Sequence, residues 1–196
     1  MRDAHGRTSP VNEGGTMAGR GTWKLDPVHT TAEFTVKHLM ITTVRGRFTK
    51  VNGTIEVDED NPGESTVEVE IDAASIDTGV ADRDAHLRSA DFLDVEHFPT
   101  LTFRSRRVRG AANKEGDRFK VIGDLTIRGT TKEVTLDATY EGSGKDPWGG
   151  TRAGFSGTTQ IDRGEWGLTW NQALEAGGIV VGTNVKILLE VQAVKQ

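Results

Sequence analysis

Acidic and histidine side chains recur at short spacing in the run Asp82-Arg83-Asp84-Ala85-His86-Leu87-Arg88-Ser89-Ala90-Asp91-Phe92-Leu93-Asp94-Val95-Glu96-His97-Phe98-Pro99. Asp82 and His86 lie four apart, Asp94 and His97 three apart, so each pair falls on one side of a helix. Two chemistries use such pairs: general acid and base catalysis and coordination of a divalent metal. Neither HExxH nor another established metal spacing occurs, and carboxylates and histidines near helix ends also serve as caps and surface ion pairs. The pairs are therefore read as structural, with no catalytic residue, metal or cofactor expected. The rival reading is an enzyme in which Asp82, His86 or His97 acts as acid or base.

Other chemistries fail on inspection. Gly142-Ser143-Gly144-Lys145 is followed by Asp146 where a phosphate loop needs Ser or Thr, and Gly177-Gly178-Ile179-Val180-Val181-Gly182 has no lysine in place. With no cysteine in the chain, thiol nucleophiles and disulfides are excluded. The formal charge of -5 argues against a nucleic-acid partner. The basic stripe Arg104, Arg106, Arg107 and Arg109 reads as a solvated edge strand.

The run from Thr78 to Phe98 is expected to be a helical insert, with Val80, Asp84 and Leu87 on one face, Ser89 capping a second turn and Pro99 restoring extended chain. Around it the period is two: Phe34 and Val36, then Val67, Val69 and Ile71, then Val185, Ile187, Leu189 and Val191 alternate with mostly polar neighbours. Further strand-like runs cover 46–57, 100–108, 118–127, 133–140 and 153–161, with turn residues at Asn61-Pro62-Gly63, 113–117, Arg128-Gly129, 142–150 and Ala176-Gly177-Gly178. About eight strands with short connections favour an all-β sandwich or barrel, whose interior is either filled or holds one small ligand. Ala32, Gly123, Ala138, Ala153 and Gly157 share the inward phase of Phe34, Val36, Leu125, Leu136, Phe155 and Ile161. Those small residues either leave a channel or merely seat large neighbours, and the pattern alone leaves both open. Trp148 lines a mouth or plugs an end. Trp166 and Trp170 are placed to close an end, and His29 and His38 fall near the inward face.

The insert run resembles the signature of the YceI-like, lipocalin-like polyisoprenoid-binding family. Four more segments agree in order: Trp23-Lys24-Leu25-Asp26 with His29 and 34–39; 123–132; Asp146-Pro147-Trp148-Gly149-Gly150 with Arg152-Ala153-Gly154-Phe155; and Gly177-Gly178 with Val181-Gly182. The resemblance implies a single lipocalin-like antiparallel β-barrel over 22–196, with the insert near one opening. It also implies non-catalytic binding or carriage of a long isoprenoid, such as an isoprenoid quinone or polyprenyl phosphate, and a homodimer. A fatty acid or fatty amide fits the same physics, and a filled-barrel stress protein is the third reading. The expected ligand wall is Phe34, Val36, Phe48, Phe103, Leu125, Ala138, Phe155 and Ile187 with Trp148, and the expected polar end is His29, His38, Arg45, Arg83 and His86.

The first 21 residues have no apolar run, and no stretch elsewhere approaches a membrane span. They are expected to be a disordered tail, or else Met17 is the natural start. Either reading places the protein in the cytoplasm.

Overall fold

β-Branched and aromatic residues at alternate positions form strands because one face of each can be buried in a shared interior. The computed structural model describes residues 21–58, 60–110, 112–173 and 178–196. The expectations for residues 1–20 and for Ala176-Gly177 lie outside these. Among the described residues eleven strands pair, all antiparallel: β1 (Gly21–Leu25), β2 (Thr31–His38), β3 (Thr42–Phe48), β4 (Val51–Val57), β5 (Thr66–Asp72), β6 (Ile76–Asp77), β7 (Thr100–Arg109), β8 (Arg118–Ile127), β9 (Thr130–Lys145), β10 (Thr151–Asp162) and β11 (Val181–Lys195).

The strands make an eight-stranded barrel. Along β11, β2 pairs from Val181 to Glu190 and β1 from Ala193 to Lys195, so β1 and β2 are one interrupted stave. The next stave is β3 with β4, and the next β5 with β6. β7 to β11 complete the ring, which closes where β1 pairs with β11. The run 46–57, expected to be one strand, breaks at Thr49-Lys50, where the stave changes partner from β6 to β5.

Glycine shapes two local features. The run 142–150 is not all turn: β9 continues to Lys145, with a bulge opposite Gly154 and Phe155 and Gly142 at φ +108°. Glycine there bends the strand instead of ending it, and the turn is confined to Asp146–Gly150. At Gly46 an added Cβ would lie 2.3 Å from Phe34 Cζ, so this position seats a large neighbour.

The basic stripe is solvated as expected, and most of it lies on a local edge: β5 pairs β7 only as far as Arg104, so Arg106, Arg107 and Arg109 belong to a segment paired with β8 alone. A bulge between Ser105 and Arg107 turns Arg106 and Arg107 both outward. Arg106 Nε donates to Asp124 at 2.8 Å.

The insert is less helical than the sequence suggests. One helix, α1, covers Ala81–Arg88, and turns carry the chain on to Pro99. Asp82 and Asp84 in its first turn and His86 and Arg88 in its last match the helix dipole. Val80 occupies the N-cap and is about half exposed (47 %), so it leaves the face shared by buried Asp84 and half-buried Leu87. Ser89 does cap the following turn: its Oγ donates to the His86 carbonyl at 2.7 Å and accepts from Asp91 N at 3.3 Å.

Candidate functional site

The barrel interior holds a cavity of about 490 Å³, within the range of small-molecule sites. Its wall comes from the inward phase of the strands. β2 gives Phe34 and Val36, β3 gives Phe48, β7 Phe103, β8 Leu125, β9 Ala138, β10 Phe155 and β11 Ile187. Val67, Val69 and Ile71 of β5 join them. Ala138 and Gly157 face the cavity, whereas Gly123 seats Phe103, whose Cζ would lie 2.7 Å from an added Cβ. Both readings of the small residues therefore hold, at different positions.

At the insert end, expected to lie near an opening, the cavity is instead blind, because apolar side chains of the insert turn inward and cover it. Phe92 and Leu93 from the turns after α1, and Leu168 from the connection between β10 and β11, reach it from that side, and all three are buried. Trp166 closes the floor behind them, 2 % exposed, with its indole N–H donating to the Leu125 carbonyl at 3.0 Å. Trp170 packs on Phe92 and edge-on to His86. Arg163 is buried here. Its guanidinium donates to the backbone carbonyls of Gly182 (3.0 Å), Val181 (3.2 Å) and Leu168, and lies 5.9 Å from the Phe92 ring. Desolvation lowers its pKa.

At the opposite end, where β1 begins and β11 finishes, part of the interior is solid. Trp23, Tyr140, Ala153 and Ala193 pack together there, each 2 % exposed or less. Beside this plug the cavity reaches half-buried Asp58, Pro62 and Ser65 before β5, and exposed Gly110 and Asn113 after β7. That is its mouth. Sequence reasoning read these loops as turns and missed their place at the cavity; the available signal was that they directly follow inward Val57 and Val108.

None of the expected polar-end residues lines the cavity. His29 donates or accepts through Nδ1 at 2.8 Å from Asp26, and His38 ends β2 at the insert side. Arg45 is exposed on β3. Arg83 Nε donates to Thr78 Oγ1 at 2.7 Å, and Thr78 in turn bonds buried Asp84 through its backbone N–H at 2.9 Å. His86 Nε2 lies 2.8 Å from Asp91, outside the wall. Trp148 neither lines nor plugs an end: it is 84 % exposed in the Asp146 turn. His29, Arg83 and His86 hold local segments together because polar groups at loop and helix ends find nearby partners before they find a distant cavity.

Of the two expected acid and histidine pairs only Asp94 with His97 forms, because His86 turns to Asp91 instead of Asp82. His97 Nδ1 lies 2.8 Å from Asp94, whose hydrogen bond and charge raise the imidazole pKa. No cluster of three or more metal-ligating side chains occurs among the described residues. Asp26 is the centre of the most connected polar group. Its carboxylate accepts from Arg152 at 2.6 Å, Gln192 at 3.3 Å and Val28 N at 3.0 Å, as well as facing His29. The His29 contact, helped by Arg152 and Val28 and opposed by burial, brings its pKa down to about 2. Arg152 also donates to Asp146 at 2.7 Å, so the group ties the break between β1 and β2 to the β9–β10 turn.

Comparison with known proteins follows this architecture. A UPF0312 protein of Vibrio cholerae is 41% identical over 140 residues, 71% of this chain and 72% of its own. Protein YceI of Salmonella newport is 39% identical over 168 residues, 86% of this chain and 83% of its own. The crystal structure of the Campylobacter jejuni YCEI protein superposes with a TM-score of 0.67 at 29% identity, covering 82% of this chain and 90% of that one. A polyisoprenoid binding domain from Saccharophagus degradans, implicated in plant cell wall breakdown, shares the fold, with a TM-score of 0.64 at 14% identity over 89% of this chain and 98% of that one. The YceI-like domain model itself matches residues 23–193, and the chain belongs to the YceI-like domain family.

Proposed function

We propose that this protein binds one long apolar lipid of isoprenoid type inside its barrel and carries or sequesters it without chemical change. The observation that carries this reading is the cavity: about 490 Å³, walled by inward aliphatic and aromatic side chains from every part of the ring and blind at the insert end. A long hydrocarbon threads such a space, and each methylene it buries contributes about 0.8 kcal/mol. A shared fold with a described polyisoprenoid binding domain supports the isoprenoid class. The pairing of His86 with Asp91 and of His97 with Asp94, both outside the cavity wall, favours binding over catalysis.

Organic extraction of the purified protein followed by mass spectrometry tests this. A prenyl-chain lipid recovered unaltered after incubation is the expected result. A lipid that the protein converts would replace the binding reading with an enzymatic one.

A further inference from the structure

We propose that the β2–β3 hairpin is a membrane-docking tip, in which Leu39, Met40 and Ile41 enter the surface of a bilayer and Lys37 and Arg45 hold its anionic head groups. This goes beyond the lipid-binding reading and does not depend on it. Six large apolar residues stand exposed among the described residues, and three of them are consecutive at this turn. Single exposed apolar side chains are ordinary, whereas a contiguous group marks a contact surface.

Met40 and Ile41 are 61 % and 78 % exposed. The backbone holds the tip in place: Ile41 N donates to the His38 carbonyl at 3.1 Å, and Leu39 N to the Val180 carbonyl at 2.8 Å. Leu39 and Met40 adopt φ +52° and +57°, the left-handed region where hairpin turns favour Asn, Asp or Gly. A chain that bears this steric cost to keep Leu and Met in a water-facing turn presents apolar surface that its own fold does not use. The hairpin also projects, because β6 pairs β3 only at Arg47 and Phe48 and leaves Thr42–Gly46 paired with β2 alone.

Charge decides what the tip meets. The segment from Phe34 to Ile55 contains no Asp or Glu but carries Lys37, Arg45, Arg47 and Lys50. Asp77 and Asp72 take up Arg47 and Lys50, each at 3.2 Å. The side chains of Lys37 and Arg45 are exposed, and among the described residues neither has a hydrogen-bond or ion-pair partner. Val36 faces the cavity, so Lys37 points outward, as does Arg45, which stands opposite Thr35. The two cations thus lie diagonally across the outer face of the hairpin, just below the apolar tip. A nucleic acid would use the cations but not the Leu-Met-Ile tip, whereas an anionic bilayer uses both. The net charge of -5 repels the rest of the chain from such a surface, which favours a tip-first approach.

The test uses the full chain with vesicles of phosphatidylcholine, alone or in equal parts with phosphatidylglycerol, read by co-sedimentation. The anionic vesicles are expected to bind at least about tenfold more tightly. Lys37→Gln with Arg45→Gln should remove that preference, and Met40→Ser with Ile41→Ser should weaken binding to both vesicles. All four positions are exposed, so both variants should melt with the parent. Because the chain has no cysteine, Ile41→Cys carrying a polarity-sensitive dye reports the tip directly. Its emission should shift to the blue on anionic vesicles, while the same dye on Trp148→Cys, in the β9–β10 turn beside the end of β11, should not respond. Equal binding to the two vesicles, binding to neither, or vesicle binding without a shift at Ile41→Cys overturns the proposal. A blue shift at Ile41→Cys that grows with protein concentration in the absence of vesicles also overturns it, and makes the tip a contact between copies of this chain.

Discussion

Asp26 shows how single residues hold this barrel at its weakest seam. The stave formed by β1 and β2 is interrupted after Leu25, and backbone groups in the break need partners. Asp26 supplies one for Val28 N and draws in Arg152 and Gln192 from β10 and β11. Its carboxyl pKa lies at about 2, below the usual 3.8. A depressed folded-state pKa contributes stability that is fully present above the unfolded value and is lost as pH falls through the folded one. Asp26→Asn should therefore lower stability at neutral pH by about 1–3 kcal/mol and flatten the decline in stability between pH 4 and pH 2. Chemical denaturation of both proteins across that range checks this. The sequence marks Asp26, His29, Asp146 and Arg152 as positions of interest. It does not say that they meet, because Asp26 and Arg152 are 126 residues apart and only closure of the ring brings them together. The same limit explains why His29, Arg83 and His86 looked like head-group contacts: charge and spacing are visible along the chain, but the partner is chosen by tertiary structure.

The insert and the strands differ in how they can be read. Strand phase is set by a period of two, and it places Phe34, Val36, Phe103, Leu125, Ala138, Phe155 and Ile187 on the cavity wall. The closed insert end has no such period. Phe92 and Leu93 sit in turns where adjacent residues both point inward, so no pattern reveals them. Arg88 latches the insert to the barrel, its Nε and a terminal nitrogen donating to the carbonyls of Ala74 (2.8 Å) and Ile76 (2.6 Å). Arg88→Ala leaves two acceptors without their donor and should cost about 1–3 kcal/mol, seen as a lower midpoint in urea. Because His86 and His97 each pair with a neighbouring carboxylate, a chelator should leave the melting temperature unchanged. A fall of several degrees with EDTA would instead reveal a structural metal. The wall itself is tested by Ala138→Trp. In a solid core this substitution overpacks and destabilises by about 1–3 kcal/mol or more. Here it points into open volume, so bound lipid should fall sharply while ligand-free protein keeps its melting temperature. A variant with its full lipid content would contradict the assigned wall.

The whole molecule is a closed ring with its two ends made differently. One is blocked by the insert, Trp166 and Arg163, the other only partly by Trp23 and Tyr140. Closure removes the exposed strand edges that would invite pairing with other chains, and it also separates the interior from water. The cost is an interior left incompletely packed, which a bound apolar chain would fill. A ligand that binds the folded state alone should raise stability by mass action, so lipid-loaded protein should melt above lipid-free protein. Native mass spectrometry of the whole protein, taken as purified from cells that make isoprenoid lipids, measures the central claim most directly. Each chain should carry the excess mass of one apolar molecule, released on collisional activation and absent from Ala138→Trp. Chains of bare polypeptide mass that also take up no geranylgeraniol would contradict it.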